Sequence, residues 1–271
     1  MQVPETLMML AIRAAVKAGE AIMKVYEGDF NIEYKPDASP LTLADKNAHQ
    51  IISEHLSGTG IPLISEEGFI PEYEIRKEWS QFWLIDPLDG TKEFIHRNGD
   101  FTVNIALIDN QVPIFGVIYV PVHQTLYWGS SSGSFRHECA IGIKKSDIYS
   151  ILEKKAMRLH GSNSKGNFRV AVSRSHLNQA TKDYISELRK NHQYLTLVEK
   201  GSSLKFCMVA EGSADLYPRF GPTMEWDTAA GHAIALFAGC EIYRAENKMP
   251  VIYNKPILLN PYFIVSNKKK R

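Results

Sequence analysis

The stretch Trp83-Leu84-Ile85-Asp86-Pro87-Leu88-Asp89-Gly90-Thr91 ends an apolar run with two carboxylates, a turn and a hydroxyl. Phe82 to Ile85 predicts a buried strand, and the Asp89-Gly90 turn stops it. Because Pro87 fixes one backbone dihedral, both carboxylates and the Leu88 carbonyl could converge on one point. Such oxygen ligands suit a hard cation such as Mg²⁺, which also keeps waters and substrate phosphate. A plain turn with an aspartate on each side is the simpler alternative.

Outward from this stretch, the chain predicts two blocks of secondary structure. An antiparallel meander over residues 101–136 follows it, and alternating strands and helices come later, which is typical of α/β layers. We place the boundary near residue 140, between an N-terminal α+β lobe (1–140) and a C-terminal α/β lobe (141–271). The predicted helices are 4–26, 42–56, 178–190, 203–211 and 226–239, and the other strands are 31–35, 62–65, 168–172, 194–198 and 214–217. Residues 144–167 match no motif.

Length and composition indicate a globular protein with a sizeable core. The chain has 271 residues, of which 44% are hydrophobic and 23% are charged. A net charge of +1 excludes a strongly polyanion-binding surface, so no nucleic-acid partner is expected. A local basic pocket for a small phosphorylated ligand remains compatible with that balance, because local fields need not follow the net charge.

Cysteine usage and the termini favour a cytoplasmic protein. Cys139, Cys207 and Cys240 are odd in number and form no C-x-x-C pair, which favours reduced thiols over a disulfide framework or a zinc site. The N-terminal segment has no apolar run long enough for a signal peptide or a membrane span. The basic residues 268–271 could make a weak peripheral contact with the cytoplasmic face of the inner membrane, although a solvated tail is the simpler interpretation.

Five acidic residues share a position at the end of an element, beside an apolar stretch. Each has an ordinary alternative: Asp227 could only cap its helix, Asp45 could only favour the helix dipole, and Glu66-Glu67 could be a surface pair. Clustered carboxylates repel one another, so a shared cleft would need cations between them, and two Mg²⁺ ions about 3.5–4 Å apart would use such a set. The five residues are Asp45, Glu66, Asp86, Asp89 and Asp227.

Gly90-Thr91-Lys92 predicts a helix start directly after the acidic turn, where free backbone N–H groups favour an anion such as phosphate. Adjacent metal and phosphate sites indicate hydrolytic phosphoryl transfer with a water nucleophile. The chain has neither a Walker loop nor a kinase loop at this position, and it lacks a G-x-S-x-G elbow for a serine nucleophile.

Together these motifs resemble the lithium-sensitive inositol monophosphatase superfamily, in order and over most of the chain. The resemblance rests on residues 35–45, Ser65-Glu66-Glu67, 86–91 and Trp226-Asp227. Further segments resemble the bacterial 3'(2'),5'-bisphosphate nucleotidase branch; they are 90–95, 172–176, 201–206 and 216–222. This resemblance implies an α/β (α+β) fold, built as a layered αβαβα sandwich.

The resemblance also implies residue roles. Glu66, Asp86 and the Leu88 carbonyl would hold one Mg²⁺, and Asp86, Asp89 and Asp227 a second, while a third would use Glu66 and water. Thr91 paired with Asp45 would orient or deprotonate the nucleophilic water. The Gly90 and Thr91 amides would receive the phosphate, beside Glu66, Leu88, Asp89 and Asp227. The nucleotide would contact Ser173, His176, Ser202, Lys205 and Arg219. For His176 a helix cap, and for Lys205 an ordinary exposed helix position, are the alternatives.

The implied activity is removal of the 3'-phosphate from adenosine 3',5'-bisphosphate, a by-product of sulfate activation, with 3'-phosphoadenylyl sulfate as a second candidate substrate. The enzyme would act as a monomer or homodimer. An inositol or sugar-phosphate phosphatase of the same superfamily is the nearest alternative. A non-catalytic nucleotide or metal sensor and a paired-carboxylate glycosidase are more distant ones.

Overall fold

The computed structural model describes residues 2–28, 31–35, 40–138, 156–161, 166–174 and 177–267. His176, the residues on either side of the predicted lobe boundary and the basic tail 268–271 lie outside these ranges, so the lobe division and the tail contact stay predictions. The helices of the described residues are α1 (Glu5–Tyr26), α2 (Leu43–Ser57), α3 (Tyr73–Arg76), α4 (Thr91–Ile95), α5 (Gln179–Asn191), α6 (Leu204–Glu211) and α7 (Glu225–Phe237).

The strands form two large sheets and one hairpin. They are β1 (Ile32–Tyr34), β2 (Pro40–Thr42), β3 (Leu63–Ser65), β4 (Gln81–Asp89), β5 (Thr102–Asp109), β6 (Val112–Val120), β7 (Thr125–Ser130), β8 (Gly133–Glu138), β9 (Met157–Leu159), β10 (Phe168–Ser173), β11 (Leu195–Lys200), β12 (Leu216–Arg219), β13 (Cys240–Arg244) and β14 (Phe263–Asn267). The seven-stranded sheet has the order β3-β4-β5-β6-β7-β8-β9, and the five-stranded sheet has the order β11-β10-β12-β14-β13. β1 and β2 form the hairpin.

The predicted meander is confirmed, because β5 to β8 pair as successive antiparallel neighbours. β3 and β4, by contrast, are parallel, which brings their carboxyl ends to the same edge of the sheet. In the second sheet, β10 is parallel to both β11 and β12. Helix α3 and the strands β2, β9, β13 and β14 were not predicted from the sequence.

Helices and sheets alternate in five layers, which confirms the predicted αβαβα sandwich. α1 and α2 cover one face of the seven-stranded sheet, α6 and α7 lie between the two sheets, and α5 covers the outer face of the five-stranded sheet. The apolar run of β4 follows from this arrangement, because alternate side chains of a strand face opposite sides. Trp83 and Ile85 belong to the core under α1 and α2, whereas Phe82 and Leu84 belong to the core around α6 and α7.

α7 packs in close backbone contact against the seven-stranded sheet. A side-chain carbon at Gly116 of β6 would lie 2.4 Å from the carbonyl oxygen of Ala230, and one at Gly231 would lie 2.4 Å from the Phe206 ring. Small residues at these positions therefore let α7 approach both β6 and α6. This contact fixes the first turn of α7, which carries Asp227, relative to β4.

Within the described ranges, no helix combines the length and the apolar character that a membrane span requires.

Candidate active site

An irregularity in β4 places the two aspartates of the opening motif. Asp86 pairs with Asn104 of β5 and Asp89 pairs with Thr102, so the register shifts between them, where β4 has one residue more than β5. Such an irregularity bends a strand and redirects its side chains. The Asp86 carboxylate accepts a hydrogen bond from the Leu88 N–H at 3.1 Å. The strand ends at Asp89, as the sequence predicts.

Three carboxylates from separate elements meet beside this bend. Glu66 follows β3, Asp86 lies on β4, and Asp227 lies in the first turn of α7. One oxygen from each lies within 4.8 Å of the others, a group that could hold a metal ion. Asp227 also accepts a hydrogen bond from the Met224 N–H at 2.8 Å, so it caps α7 and joins the cluster.

Burial and mutual repulsion raise the pKa values of the clustered aspartates. Burial raises the pKa of Asp86 well above its usual range, and the charges of Glu66 and Asp89 add to the effect. Burial, with Asp89 and Glu66, does the same to the pKa of Asp227. Burial raises the pKa of Asp89 to about 6, although the Lys205 charge and the Ser203 N–H lower it. A bound cation would relieve this repulsion, and carboxylate oxygens are the donors that hard divalent ions prefer.

The other two predicted residues, Thr91 and Asp45, are in contact. The Thr91 hydroxyl donates to Asp45 Oδ1 at 3.1 Å and lies 3.4 Å from the Leu88 carbonyl oxygen. Asp45 Oδ2 accepts from the Thr42 N–H at 2.7 Å, which caps α2. One oxygen of Asp45 therefore caps α2, and the other contacts Thr91. Burial raises the pKa of Asp45, and the hydrogen bonds from Thr42 and Thr91 lower it.

A cleft of about 270 Å³ opens over these residues. Carboxylates at the ends of β3 and β4 and on α7 line its acidic part, and residues of α6 and the end of β12 line it as well. The Leu88 side chain is buried at 2% exposure, and Asp45 and Asp86 are each 1% exposed, so these three lie behind the surface of the cleft. The predicted site residues that line it are Glu66, Asp89, Gly90, Thr91, Ser173, Ser202, Lys205, Arg219 and Asp227.

Lys205 is buried, at 3% exposure, so the alternative of an ordinary exposed helix lysine is wrong. Its ammonium donates to the backbone carbonyls of Lys200 and Ser202. Burial lowers the pKa of Lys205 to about 8, against the raising effect of Asp89. Arg219 also lines the cleft; its Nη2 donates to the Pro222 carbonyl at 3.0 Å, while its buried Nε has no hydrogen-bond partner.

Two contacts at the acidic end were not predicted from the sequence. The Ser203 N–H donates to Asp89 Oδ2 at 2.6 Å, across a sequence separation of 114 residues. The Lys35 ammonium bonds Glu66 at 2.8 Å and Glu67 at 2.5 Å, so Glu66-Glu67 is not merely a surface pair. Burial opposes the charge of Lys35, but these two carboxylates outweigh it and raise the Lys35 pKa.

Alternating layers of helix and sheet, with carboxylates from β3, β4 and α7 gathered in one cleft, define the class of layered α/β phosphatases. The model of the inositol monophosphatase family matches residues 4–271. The chain belongs to that family, whose members depend on metal ions.

Individual relatives cover almost the whole chain. The 3'(2'),5'-bisphosphate nucleotidase CysQ of Salmonella typhimurium is 44% identical over 256 residues, which cover 93% of this chain and 96% of the relative. The crystal structure of CysQ from Bacteroides thetaiotaomicron has a TM-score of 0.88 at 47% identity, covering 97% of this chain and 98% of that chain. The SuhB structure from Bartonella henselae, with a TM-score of 0.75 at 24% identity, shares the fold and covers 97% of this chain and 94% of that one.

Proposed function

We propose that this chain is a Mg²⁺-dependent 3'(2'),5'-bisphosphate nucleotidase that hydrolyses adenosine 3',5'-bisphosphate to AMP and phosphate. The observation that carries the proposal is one cleft lined both by the carboxylates Glu66, Asp89 and Asp227 and by two cations, Lys205 and Arg219. A nucleoside bisphosphate has a reacting phosphate, which metal ions on the carboxylates would bind, and a second phosphate, which the two cations would bind. The relatives named CysQ nucleotidases match this chain over nearly its full length, which supports the same choice.

Metal binding is assigned to the acidic end. In this proposal Glu66, Asp86 and the Leu88 carbonyl hold one Mg²⁺, Asp86, Asp89 and Asp227 hold a second, and Glu66 supports a third. When bound, the ions supply positive charge that offsets the charge on the phosphate oxygens during transfer. The chain's own contribution is to keep these oxygens in place: Ser203 and Asn104 both donate to Asp89 Oδ2, at 2.6 and 3.3 Å.

Thr91 and Asp45 handle the proton of the nucleophilic water, and Glu66 aids its placement. The Thr91 hydroxyl donates to Asp45, which leaves its oxygen lone pairs free to accept a proton from water. The water oxygen forms the new P–O bond while the bond to the 3'-oxygen breaks. The water's proton passes to the Thr91–Asp45 pair, and the 3'-oxygen leaves with a proton from solvent.

The remaining contacts bind substrate. The Gly90 and Thr91 amides receive the reacting phosphate, with Gly90 in a left-handed conformation, at a φ of 94°, that turns the chain into α4. Lys205 and Arg219 bind the second phosphate, and Ser173 and Ser202 contact the nucleoside. His176 stays a prediction, as do cytoplasmic location, peripheral membrane contact and the choice between monomer and homodimer.

A substrate panel tests this function. Phosphate release is measured from adenosine 3',5'-bisphosphate, 3'-phosphoadenylyl sulfate and inositol 1-phosphate, each with Mg²⁺, with EDTA and with added Li⁺. We expect Mg²⁺-dependent, Li⁺-inhibited release that is fastest from the adenosine bisphosphate. A preference for inositol 1-phosphate would instead identify the alternative, an inositol or sugar-phosphate phosphatase. Activity in EDTA would exclude the metal-dependent mechanism.

A further inference from the structure

Asp100 is a buried carboxylate that the site described above does not use. It lies between α4 and β5, is 2% exposed, and is not among the residues that line the cleft. Its own N–H donates to Asn98 Oδ1 at 3.0 Å, which fixes the tight turn before it. A buried charge is costly unless it is paired and hydrogen-bonded, so the partners of this carboxylate show what it does.

Among the described residues, the partners of the Asp100 carboxylate lie at the carboxyl ends of β10 and β11. Asp100 Oδ2 contacts Arg174 Nη2 at 3.0 Å and accepts from the Gly201 N–H at 3.2 Å. Asp100 Oδ1 accepts from the Lys200 ammonium at 3.1 Å. Lys200 ends β11 and Arg174 directly follows β10, its parallel neighbour. One carboxylate of the first half thus joins the carboxyl ends of two strands of the second half.

The carbonyl oxygen of Asp100 also lies between two turns, one at Gly90 and one at Gly201. A side-chain carbon at Gly90 would lie 3.3 Å from the Asp100 carbonyl oxygen, and one at Gly201 would lie 2.8 Å from the same oxygen. The Gly90 turn receives the reacting phosphate in the proposed function. Asp100 therefore fixes the distance between that turn and the segment that begins at Gly201.

Two residues after Gly201, Ser203 and Lys205, take part in the proposed function, and different hydrogen bonds hold each of them in place. The Ser203 N–H donates to Asp89, but the Ser203 hydroxyl has its own anchor, because it donates to Asn104 Oδ1 at 2.8 Å. The Lys205 ammonium instead donates to the carbonyls of Lys200 and Ser202, the residues on either side of Gly201. Movement of the Gly201 turn would therefore displace Lys205 more than it would displace Asp89.

We propose that Asp100 is a positioning residue: its ion pairs with Arg174 and Lys200, and its bond to Gly201, hold Lys205 where it binds the second, non-reacting phosphate of a nucleoside bisphosphate. The inference rests on the proposed function. It assigns to Asp100 an effect on substrate affinity, exerted through Lys205, and no contact with the reacting atoms.

The test compares Asp100→Asn with the double variant Arg174→Gln/Lys200→Gln, using phosphate release from adenosine 3',5'-bisphosphate in Mg²⁺. Because both changes remove the two ion pairs, both should raise KM by about tenfold, the loss expected for a charge-assisted hydrogen bond. The turnover number kcat should change by less than about threefold, because Ser203 is anchored separately. Asp100→Glu keeps the charge and should recover part of the loss in KM.

Two controls separate positioning from other roles. Asp215→Asn removes a buried carboxylate paired with Arg169 near the opposite end of β10, and it should leave KM unchanged. In a Lys205→Met background, the Arg174→Gln/Lys200→Gln change should have no further effect on KM, because the proposed action passes through Lys205. This second control decides the question even where Asp100→Asn fails to fold.

Several outcomes would overturn the inference. If Asp100→Asn lowers KM while the double variant raises it, Arg174 and Lys200 bind substrate directly. Unchanged KM values, or an effect that persists in the Lys205→Met background, would also contradict it. Wild-type protein that releases no phosphate from the bisphosphate would contradict the proposed function itself, and that result is obtained before any variant is made.

Discussion

The hydroxyl of Thr91, at the start of α4, donates to the carboxylate of Asp45, in the first turn of α2, over 3.1 Å. The two residues are 46 positions apart in sequence and belong to different helices. Asp45 uses its other oxygen to cap α2, so its position is fixed by the helix itself. This leaves Thr91 as the member of the pair that can be altered without disturbing a cap.

Thr91→Val should therefore lower kcat by about 10²- to 10⁴-fold, the usual contribution of a general acid–base group, with little change in KM. Valine keeps the branched shape and removes the hydroxyl. Thr91→Ser keeps the hydroxyl and should retain most of the activity. Phosphate release at saturating substrate is the measurement. A Thr91→Val enzyme that keeps more than about a tenth of the wild-type kcat would exclude a role for this hydroxyl in proton transfer.

Asp86→Asn should stabilise the protein in EDTA and remove most of its stabilisation by Mg²⁺. The folded-state pKa of Asp86 is raised, so at neutral pH the charged group opposes folding, and the neutral amide relieves this. A gain of about 1 kcal/mol would raise the unfolding temperature by about 2–4 °C. Wild-type protein should gain about 2.7 kcal/mol at a Mg²⁺ concentration a hundredfold above Kd.

Thermal unfolding of both proteins, with EDTA and with Mg²⁺, checks this prediction. Asp109→Asn is the matched control, since Asp109 lies at the other end of β5 and is not part of the carboxylate cluster. It should leave the Mg²⁺ effect intact. An Asp86→Asn protein that still gains the full wild-type stabilisation from Mg²⁺ would show that Asp86 is not a ligand.

The residues that the sequence identified share a local signature, a carboxylate or hydroxyl at the end of an apolar element. Asp86, Asp89 and Thr91 lie in one continuous motif, and Glu66 directly follows its strand, so their positions follow from nearby residues alone. The later alternation of strand and helix predicted α/β layers, whereas the αβαβα order of those layers came from the family resemblance. The strands β2, β9, β13 and β14 were missed because each has only three to five residues, too few to show a clear periodic pattern.

Contacts made by distant segments could not be predicted in this way. The bond from the Ser203 N–H to Asp89 joins residues 114 positions apart, and the ion pair of Lys200 with Asp100 joins residues 100 apart. Lys205 was assigned to substrate binding by resemblance, but its burial depends on how α6 packs between the two sheets. Such features arise from packing between the layers, which no single stretch of sequence records.

The affinity for the bisphosphate should decrease as the pH rises through about 8. Burial lowers the pKa of Lys205 to about 8, so the ammonium that binds the second phosphate loses its proton above that value. KM measured from pH 6.5 to 9.5 should rise accordingly in the wild type. Lys205→Met should raise KM by about tenfold or more at pH 7 and lose this alkaline rise. A Lys205→Met enzyme with the same alkaline rise in KM as the wild type would assign it to another group.

His232 should make the protein sensitive to acid. It lies on α7 at 6% exposure, with its Nδ1 3.0 Å from the Tyr253 hydroxyl. Burial lowers the pKa of His232 from 6.5 to about 4. The unfolded chain then binds a proton that the folded chain rejects, so the free energy of unfolding falls as pH decreases from about 6.5 to about 4, by about 3 kcal/mol in total.

Chemical denaturation in EDTA of the wild type and His232→Gln, at steps from pH 8 to pH 4, isolates this effect from the carboxylates, which titrate equally in both proteins. Over that interval the unfolding free energy of the wild type should fall by about 3 kcal/mol more than that of His232→Gln, because the glutamine takes up no proton. His123→Gln, which removes an exposed ring on the turn between β6 and β7, controls for the loss of one histidine. If the wild type and His232→Gln lose stability in parallel, the acid sensitivity does not come from this buried ring.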